Sequence, residues 1–573
     1  MHRLPGSESK VCIGIAAQPE MLSPESCSCI VSAGLRSGAG AGTPGAWDWD
    51  GARSCSGLLL DYQRGLLLCH AQILSPFLGQ RQLLSRQPFL LPGAFHRELQ
   101  IRVQFPAGNP SPRSQTRSEP VSDTPSPDLH PEVPPSGMAR SQGTSPATLL
   151  VAFPCPAFRE AFQSVYQEAD RWHFHLDDQE AELDGLFWFG LLHCPSWAGG
   201  AQAGETPQCV RSEHLRKGQT LFSCASPFAS FWSEVFMNTF SKGIVSNLAG
   251  ERNAVILTDA RCLPGTEGGG VYLELHGLYY LAGVIVAPLC WKAQEWVGLT
   301  LVCSITCILK AIRRIWGALG KNGKIVSFCP LSGHLPVPSP RWQGDLTRLL
   351  GSVALLECGG VWGSGVVVSP RLILTCRHVL GWASAVQVNI QPDLGSRLTL
   401  KGRVLFATKE NSAYDVALVE LEEDLLYVEI PVAASGFNKG EDVCVIAYGV
   451  FGQSCGPSVT AGVLSAVITV DQQPAMLQTT CAVHAGASGG PVFRTSSGEL
   501  LGIVSSNAQN NSAGASYPHL NFSLPITVLQ PLLARYNQTR DAAVFEQLNQ
   551  VNDRLCALWR LQDGFSNTQK SRL

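Results

Sequence analysis

A chain of 573 residues, 45% hydrophobic, 8% aromatic and 15% charged, is globular in composition and long enough for several domains. Its formal net charge of −3 gives no general reason to expect nucleic acid or an anionic membrane as a partner. Gly (56) and Pro (37) are plentiful and Met (5) is scarce, which suits turn-rich β structure better than helical bundles.

The opening MHRLPGSESKVCIGIAAQPE has no apolar core of signal-peptide length, so secretion is not expected. The 20 cysteines are then expected to stay reduced. Cys27-Ser-Cys29 and Cys303-x-x-x-Cys307 could be ligand pairs, but no second pair sits nearby at zinc spacing. Buried small hydrophobes are the preferred account, and no metal or other cofactor is expected. Residues 1–104 are apolar with many Gly and Leu, and residues 105–147 are rich in Pro, Ser, Thr and Arg, which predicts a mobile surface insert. Residues 148–329 return to a globular composition. Their longest apolar stretch, Val297 to Leu309, is flanked by Glu295 and Lys310 and too short to span a bilayer, so a soluble protein without a membrane partner is expected. A Pro-rich run at 330–340 reads as a linker. Residues 341–535 are dense in short β-branched runs such as VVV at 366–368 and VCVIAYG at 443–449, the spacing of an all-β barrel or sandwich.

That last block carries the chemistry. Gly486-Ala-Ser488-Gly-Gly-Pro491 sets a serine among glycines. A nucleophilic serine needs such a turn, because its hydroxyl and its own N–H must both face one substrate carbonyl. The N–H groups of Gly486 and Ser488 form the natural oxyanion-hole pair. His378 ends the apolar run GVVVSPRLIL and Asp415 opens DVALVEL. Each residue alone is as readily a satisfied His, a turn Asp or a loop Ser. The order His, Asp, Ser, each in its proper local context, points to a charge-relay triad.

SGVVVSP…ILTCRHV, YDVALVEL and GASGGPVF resemble the trypsin-like proteases of the Deg/HtrA branch, and AYGVFGQ…AGVLSA resembles the segment that precedes their nucleophile. Val379, where secreted trypsins carry a disulfide Cys, is one departure. Another is the 38 residues after position 535, too few for the PDZ domain of HtrA proteins. In those residues Val544, Leu548, Val551, Leu555 and Leu558 are spaced 4-3-4-3, which predicts an amphipathic helix over 544–558. It could pack on the protease body or mediate a homo-oligomer. The terminal Ser571-Arg572-Leu573 resembles a C-terminal peroxisomal address read by an import receptor. A Deg-type protease with a long N-terminal extension and this terminus is similar to the peroxisomal processing proteases of the branch. That resemblance implies a peroxisomal matrix enzyme that cuts imported matrix proteins and removes N-terminal targeting leaders. Its rivals are a general quality-control protease of HtrA type and a non-catalytic scaffold.

The N-terminal half echoes the catalytic block. Ser56-Gly57…His70 runs parallel to Ser364-Gly365…His378, with 14 positions from Ser to His in both. Gly265-Thr-Glu267-Gly-Gly-Gly270 parallels Gly486-Ala-Ser488-Gly-Gly-Pro491, and TLVCSITCILKAI at 300–312 parallels LPITVLQPLLARY at 524–536. Residues 1–329 therefore read as a degenerate domain with His70, Asp184 and Glu267 at the triad positions. The expected fold class is all-β: two trypsin-like double β-barrel domains, the N-terminal one degenerate, at 1–329 and 341–535, then a short helix and tail at 536–573. Ala482, six residues before the nucleophile, is expected at the base of the primary specificity pocket, with Ser505, Ser506 and Asn507 on its wall. A pocket without a carboxylate at its base favours small or apolar side chains.

Overall fold

The computed structural model describes residues 22–35, 52–80, 83–106, 144–166, 172–174, 183–197, 206–228, 231–288, 290–292, 295–319, 343–393, 396–452, 454–510, 515–550, 552–560 and 568–572. The expected insert lies outside this set except at its edges, where strand structure reaches Gln104 and resumes at Thr144.

In the N-terminal half, β1 (Ser28–Leu35), β2 (Arg53–Asp61), β3 (Leu66–His70), β4 (Leu99–Gln104) and β5 (Thr144–Pro154) precede a two-residue strand, β6 (Trp172–His173), and β7 (Trp188–His193). All but β6 close into an antiparallel barrel of order β1-β2-β3-β7-β5-β4. A second barrel takes β8 (Thr220–Ala225), β9 (Thr239–Ala249), β10 (Val255–Thr258), β11 (Gly270–Leu275) and β12 (Leu278–Ala287). After the short strands β13 (Trp291–Lys292) and β14 (Glu295–Trp296), β15 (Thr300–Ser304) completes it. The strands β6, β13 and β14 form a small sheet of their own. Sequence dictates this burial: the runs LLLCH of β3 and VILT of β10 are apolar almost throughout and buried along their whole length.

The C-terminal half repeats the plan. Its first barrel, of order β16-β17-β18-β21-β20-β19, contains β16 (Val353–Cys358), β17 (Val361–Ser369), β18 (Leu372–Thr375), β19 (Ala385–Asp393), β20 (Ser396–Ala407) and β21 (Ala417–Leu421). The second contains β22 (Asp442–Ala447), β23 (Ser458–Val470), β24 (Gln473–Thr479), β25 (Pro491–Arg494), β26 (Leu500–Asn510) and β27 (Ala515–Pro525), closed by the pairing of β25 with β26. A last strand, β28 (Thr568–Arg572), adds to the open edge of β26. The fold class read from the sequence therefore holds, with two double barrels in one chain. In each half a helix follows the last strand, Ile305–Leu319 after β15 and Ile526–Thr539 after β27, as the paralleled segments imply. The second helix runs through residue 535.

One expectation needs correction. The single amphipathic helix over 544–558 is two short helices, a 3₁₀ segment Ala542–Asn549 and an α-helix Asp553–Arg560. Their apolar residues Val544, Phe545, Leu548, Cys556 and Trp559 pack into the core of the C-terminal half, so the seam faces that half.

The halves are fused rather than strung. Val450 and Phe451 of the C-terminal half belong to the N-terminal core, and Phe451 stacks on Trp172 at 5.6 Å. The buried Asp259 carboxylate accepts main-chain N–H groups from both halves, Ile244 and Ala461, each at 2.7 Å. Lys217 donates to the carbonyls of Cys455 and Pro457, and its burial brings its pKa down to about 8. All 18 described cysteines are free thiols, buried or half-buried in these barrels.

Candidate active site

Three barrel loops carry the candidate triad. The strand β18 ends at Thr375, and its ladder to β21 aligns Thr375 with Ala417. This sets His378, in the helical turn Arg377–Leu380, beside Asp415, two residues ahead of β21. Asp415 grips His378 twice: one carboxylate oxygen accepts the main-chain N–H at 3.0 Å, and the other makes a short contact with Nδ1. The Arg377 guanidinium lies 3.5 Å from the same carboxylate. Burial pushes the Asp415 carboxyl up, but the His378 contacts and Arg377 outweigh it, leaving it below the usual range. Asp415 is thus an anion at neutral pH.

Ser488 is buried in the turn between His484 and Pro491. Its carbonyl accepts from the Ser364 N–H at 2.9 Å, while the Ser364 hydroxyl donates to the Gly486 carbonyl at 2.9 Å. Gly486 has φ +86, and a Cβ there would lie 2.6 Å from the Gly449 carbonyl oxygen. Gly489 has φ +80, and its Cβ would lie 2.2 Å from the Ser364 carbonyl oxygen. Only glycine fits both places, which is why the serine arrives inside this motif. The Gly489 N–H and carbonyl-side neighbour Gly490 bond Val504 of β26 in both directions, at 2.8 and 2.9 Å, so the β26 segment that follows begins beside Ser488.

Behind the loop, His484 is buried, and burial lowers its pKa to about 4. Its Nδ1 accepts the Val450 N–H at 3.1 Å, as a neutral imidazole does. Sequence reasoning missed this histidine because nothing in its local pattern separates it from a core residue. Ala482, Ser505, Ser506 and Asn507 are buried near the Ser488 loop, Ala482 before it and the other three on β26. Among the described residues, Cys376, His378 and Asp415 form one cluster whose ligand atoms lie within 4.8 Å of one another. Asp415 engages His378 there, and the Cys376 thiol donates to the Val504 carbonyl, so the arrangement suits proton transfer.

The N-terminal half reproduces the scaffold around different side chains. Gly265 has φ +94 and Gly268 φ +84, and the Ser56 hydroxyl donates to the Gly265 carbonyl as Ser364 does to Gly486. Glu267 stands where Ser488 stands. Its carboxylate folds back to accept the Gly265 N–H at 2.8 Å, and burial raises its pKa to about 7. The other two positions need correction. Gly57 pairs with Cys69, whereas the ladder of β17 and β18 carries Gly365 towards Thr375. The first hairpin is two residues longer, so His70 matches Cys376 and Gln72 matches His378. Cys69 in turn pairs with Gly190 as Thr375 pairs with Ala417, so Trp188 takes the place of Asp415. Asp184 lies in the turn Leu183–Phe187 ahead of that position. His70 is a buried core residue edge-on to Phe189.

Comparison with known proteins agrees with this geometry. Residues 363–503 match the trypsin-like peptidase domain family. The chain is 43% identical to a mouse protein named peroxisomal leader peptide-processing protease, over 97% of this chain and 99% of that one. The human protein of the same name is 42% identical over 96% of this chain and 99% of its own length. A probable periplasmic serine endoprotease, DegP-like, of Pseudomonas savastanoi is 32% identical over 29% of this chain and 33% of its own.

Proposed function

Because the chain belongs to the peroxisomal leader peptide-processing protease family, a family of peroxisomal serine endopeptidases, we propose that His378, Asp415 and Ser488 are its triad and that it removes N-terminal targeting leaders from peroxisomal matrix proteins. The observation that carries this reading is the double hold of Asp415 on His378. It fixes the imidazole with Nδ1–H towards Asp415 and Nε2 as the base. Ser488 attacks the scissile carbonyl and gives its proton to His378. Asp415 steadies the imidazolium while the N–H groups of Gly486 and Ser488 hold the oxyanion. His378 then protonates the leaving amine as the C–N bond breaks. A water, deprotonated by His378, attacks the acyl group. As the bond to Ser488 Oγ breaks, His378 returns the proton to that oxygen and the acyl group leaves as a carboxylic acid.

In this reading residues 341–535 are the catalytic domain and residues 1–329 an inactive companion. Glutamate at 267, glutamine at 72 and tryptophan at 188 offer no activated nucleophile. Ala482, Ser505, Ser506 and Asn507 shape a pocket for a small or apolar side chain, and Ser571, Arg572 and Leu573 form the address read by the import receptor. The decisive experiment is Ser488→Ala. The change is small, so the protein should fold and melt as the parent does, yet lose activity on peptides by several orders of magnitude and lose labelling by a fluorophosphonate. Undiminished turnover in this variant would overturn the reading. Deleting 571–573 should leave kcat on peptides unchanged and abolish peroxisomal import of a chain expressed without an intact copy.

A further inference from the structure

We infer that Glu295, a residue of the inactive half, is a specificity-determining residue of the active half because it ties together the two walls of the primary pocket. The inference rests on the reading of Ala482 and Asn507 as pocket residues. The strands β13 and β14 form a hairpin, Trp291 opposite Trp296 and Lys292 opposite Glu295, that leans on the catalytic half. Lys292 Nζ donates to the Val450 carbonyl at 3.3 Å and lies 5.5 Å above the Trp362 ring. Trp296 meets His519 edge-on at 5.7 Å. Gly298, with φ +74, comes so close that a Cβ would lie 2.9 Å from Pro518 Cγ and 3.2 Å from the Ala482 methyl. The hairpin therefore backs directly onto the expected pocket base.

Glu295 sits at the centre of this contact. Its Oε1 lies 3.4 Å from Asn507 Nδ2, and its carboxylate accepts the main-chain N–H of Ala485. Ala485 is three residues before the nucleophile. Asn507 is three residues beyond Val504, which is bonded to the nucleophile loop. One carboxylate thus bridges the loop ahead of Ser488 and the strand behind the pocket, and pocket width depends on the inactive half.

The test compares the full-length parent, Glu295→Gln and Glu295→Ala on peptides that differ only in the residue before the cut, from Ala to Phe. Glu295→Ala should lower kcat/KM for small residues by about tenfold, mainly through KM, and shift preference towards larger ones. Glu295→Gln, which keeps one acceptor oxygen, should fall between. Fluorophosphonate labelling of Ser488 should continue in both, which separates this result from failure of the triad reading. An unchanged preference profile in the variants, with or without a lower melting temperature, would reduce Glu295 to a structural contact and overturn the inference. Should Glu295→Ala fail to fold, the Gln variant decides alone.

A separate observation carries a second inference. The strand β28 runs antiparallel along β26, with Arg572 opposite Ser506, Ser571 opposite Asn507 and Lys570 opposite Ala508. This edge leads directly from Val504 and the nucleophile loop. An extended substrate adds as a strand to such an edge. We propose that residues 568–572 occupy the substrate strand's place, so the chain's own tail competes with substrate. A chain ending at residue 567 should show a several-fold lower KM with unchanged kcat. The peptide TQKSRL, added to that shortened enzyme, should inhibit competitively. Equal KM in the two chains, or no inhibition by the peptide, would refute the competition.

Discussion

Asp415 shows how much one side chain can be asked to do. Asp415→Asn keeps the size but presents an amide to Nδ1, which favours the wrong histidine tautomer. A fall in kcat of about 10⁴-fold is expected, with KM little changed and the fold intact, as steady-state kinetics and melting will register. The parent carboxyl titrates below the usual range, so its ionisation should leave the pH–rate profile flat above pH 5. Glu267 makes the opposite case. Its folded pKa of about 7 exceeds that of an unfolded glutamate. Its contribution to stability is therefore full below about pH 4.3 and lost as pH rises through 7. Glu267→Gln should accordingly gain up to about 3 kcal/mol at pH 8 and nothing at pH 4, measured by denaturant unfolding at both values. Glu267 was legible because the Gly-rich turn that marks Ser488 is repeated around it. His70 misled because an equal count of 14 residues conceals a hairpin two residues longer, which leaves His70 two ladder positions short of the place of His378. Asp184 misled because the ladder puts Trp188, four residues later, at the place of Asp415. Register is a property of paired strands, and a single strand's spacing does not contain it.

At the level of elements, the short apolar runs gave away the barrels, since alternation and turn residues act locally. The C-terminal helices were half legible. The 4-3-4-3 seam identified the buried face, because both helices present apolar residues to the same core. It did not reveal the break around Gln550, where the chain turns extended before the second helix. Phe545 is fully buried against Tyr536 and Phe406. Phe545→Ala should cost about 3–5 kcal/mol, seen as a lower melting temperature, with kcat on short peptides kept at a temperature where the variant remains folded. An unchanged melting temperature would mean this segment is not part of the folded unit. The small sheet of β6, β13 and β14 was not legible at all. Its strands are two residues long and draw on partners more than a hundred residues apart.

Across the whole molecule, β4 and β5 pair directly, Gln104 opposite Thr144 and Ile101 opposite Ala147. A cut anywhere between them leaves a complete ladder on both sides. The Pro/Ser-rich segment there is the kind of chain an extended-strand protease accepts. Active protein should accumulate a fragment of roughly a hundred residues and a larger remainder that elute together on size exclusion and separate only in denaturant, while Ser488→Ala protein stays whole. Equal nicking of both would point to another protease. The burial of the thiols has a different consequence, a redox one. Burial holds Cys69, Cys224, Cys290 and Cys444 up at about 12, and raises Cys455 to about 11. Peroxide oxidises the thiolate far faster than the thiol. In an organelle that handles hydrogen peroxide, this protease thus keeps these five buried or half-buried thiols protonated and slow to react with it. Its nucleophile is an oxygen, which climbs no oxidation ladder, so peroxide concentrations that silence cysteine proteases should leave this one turning over.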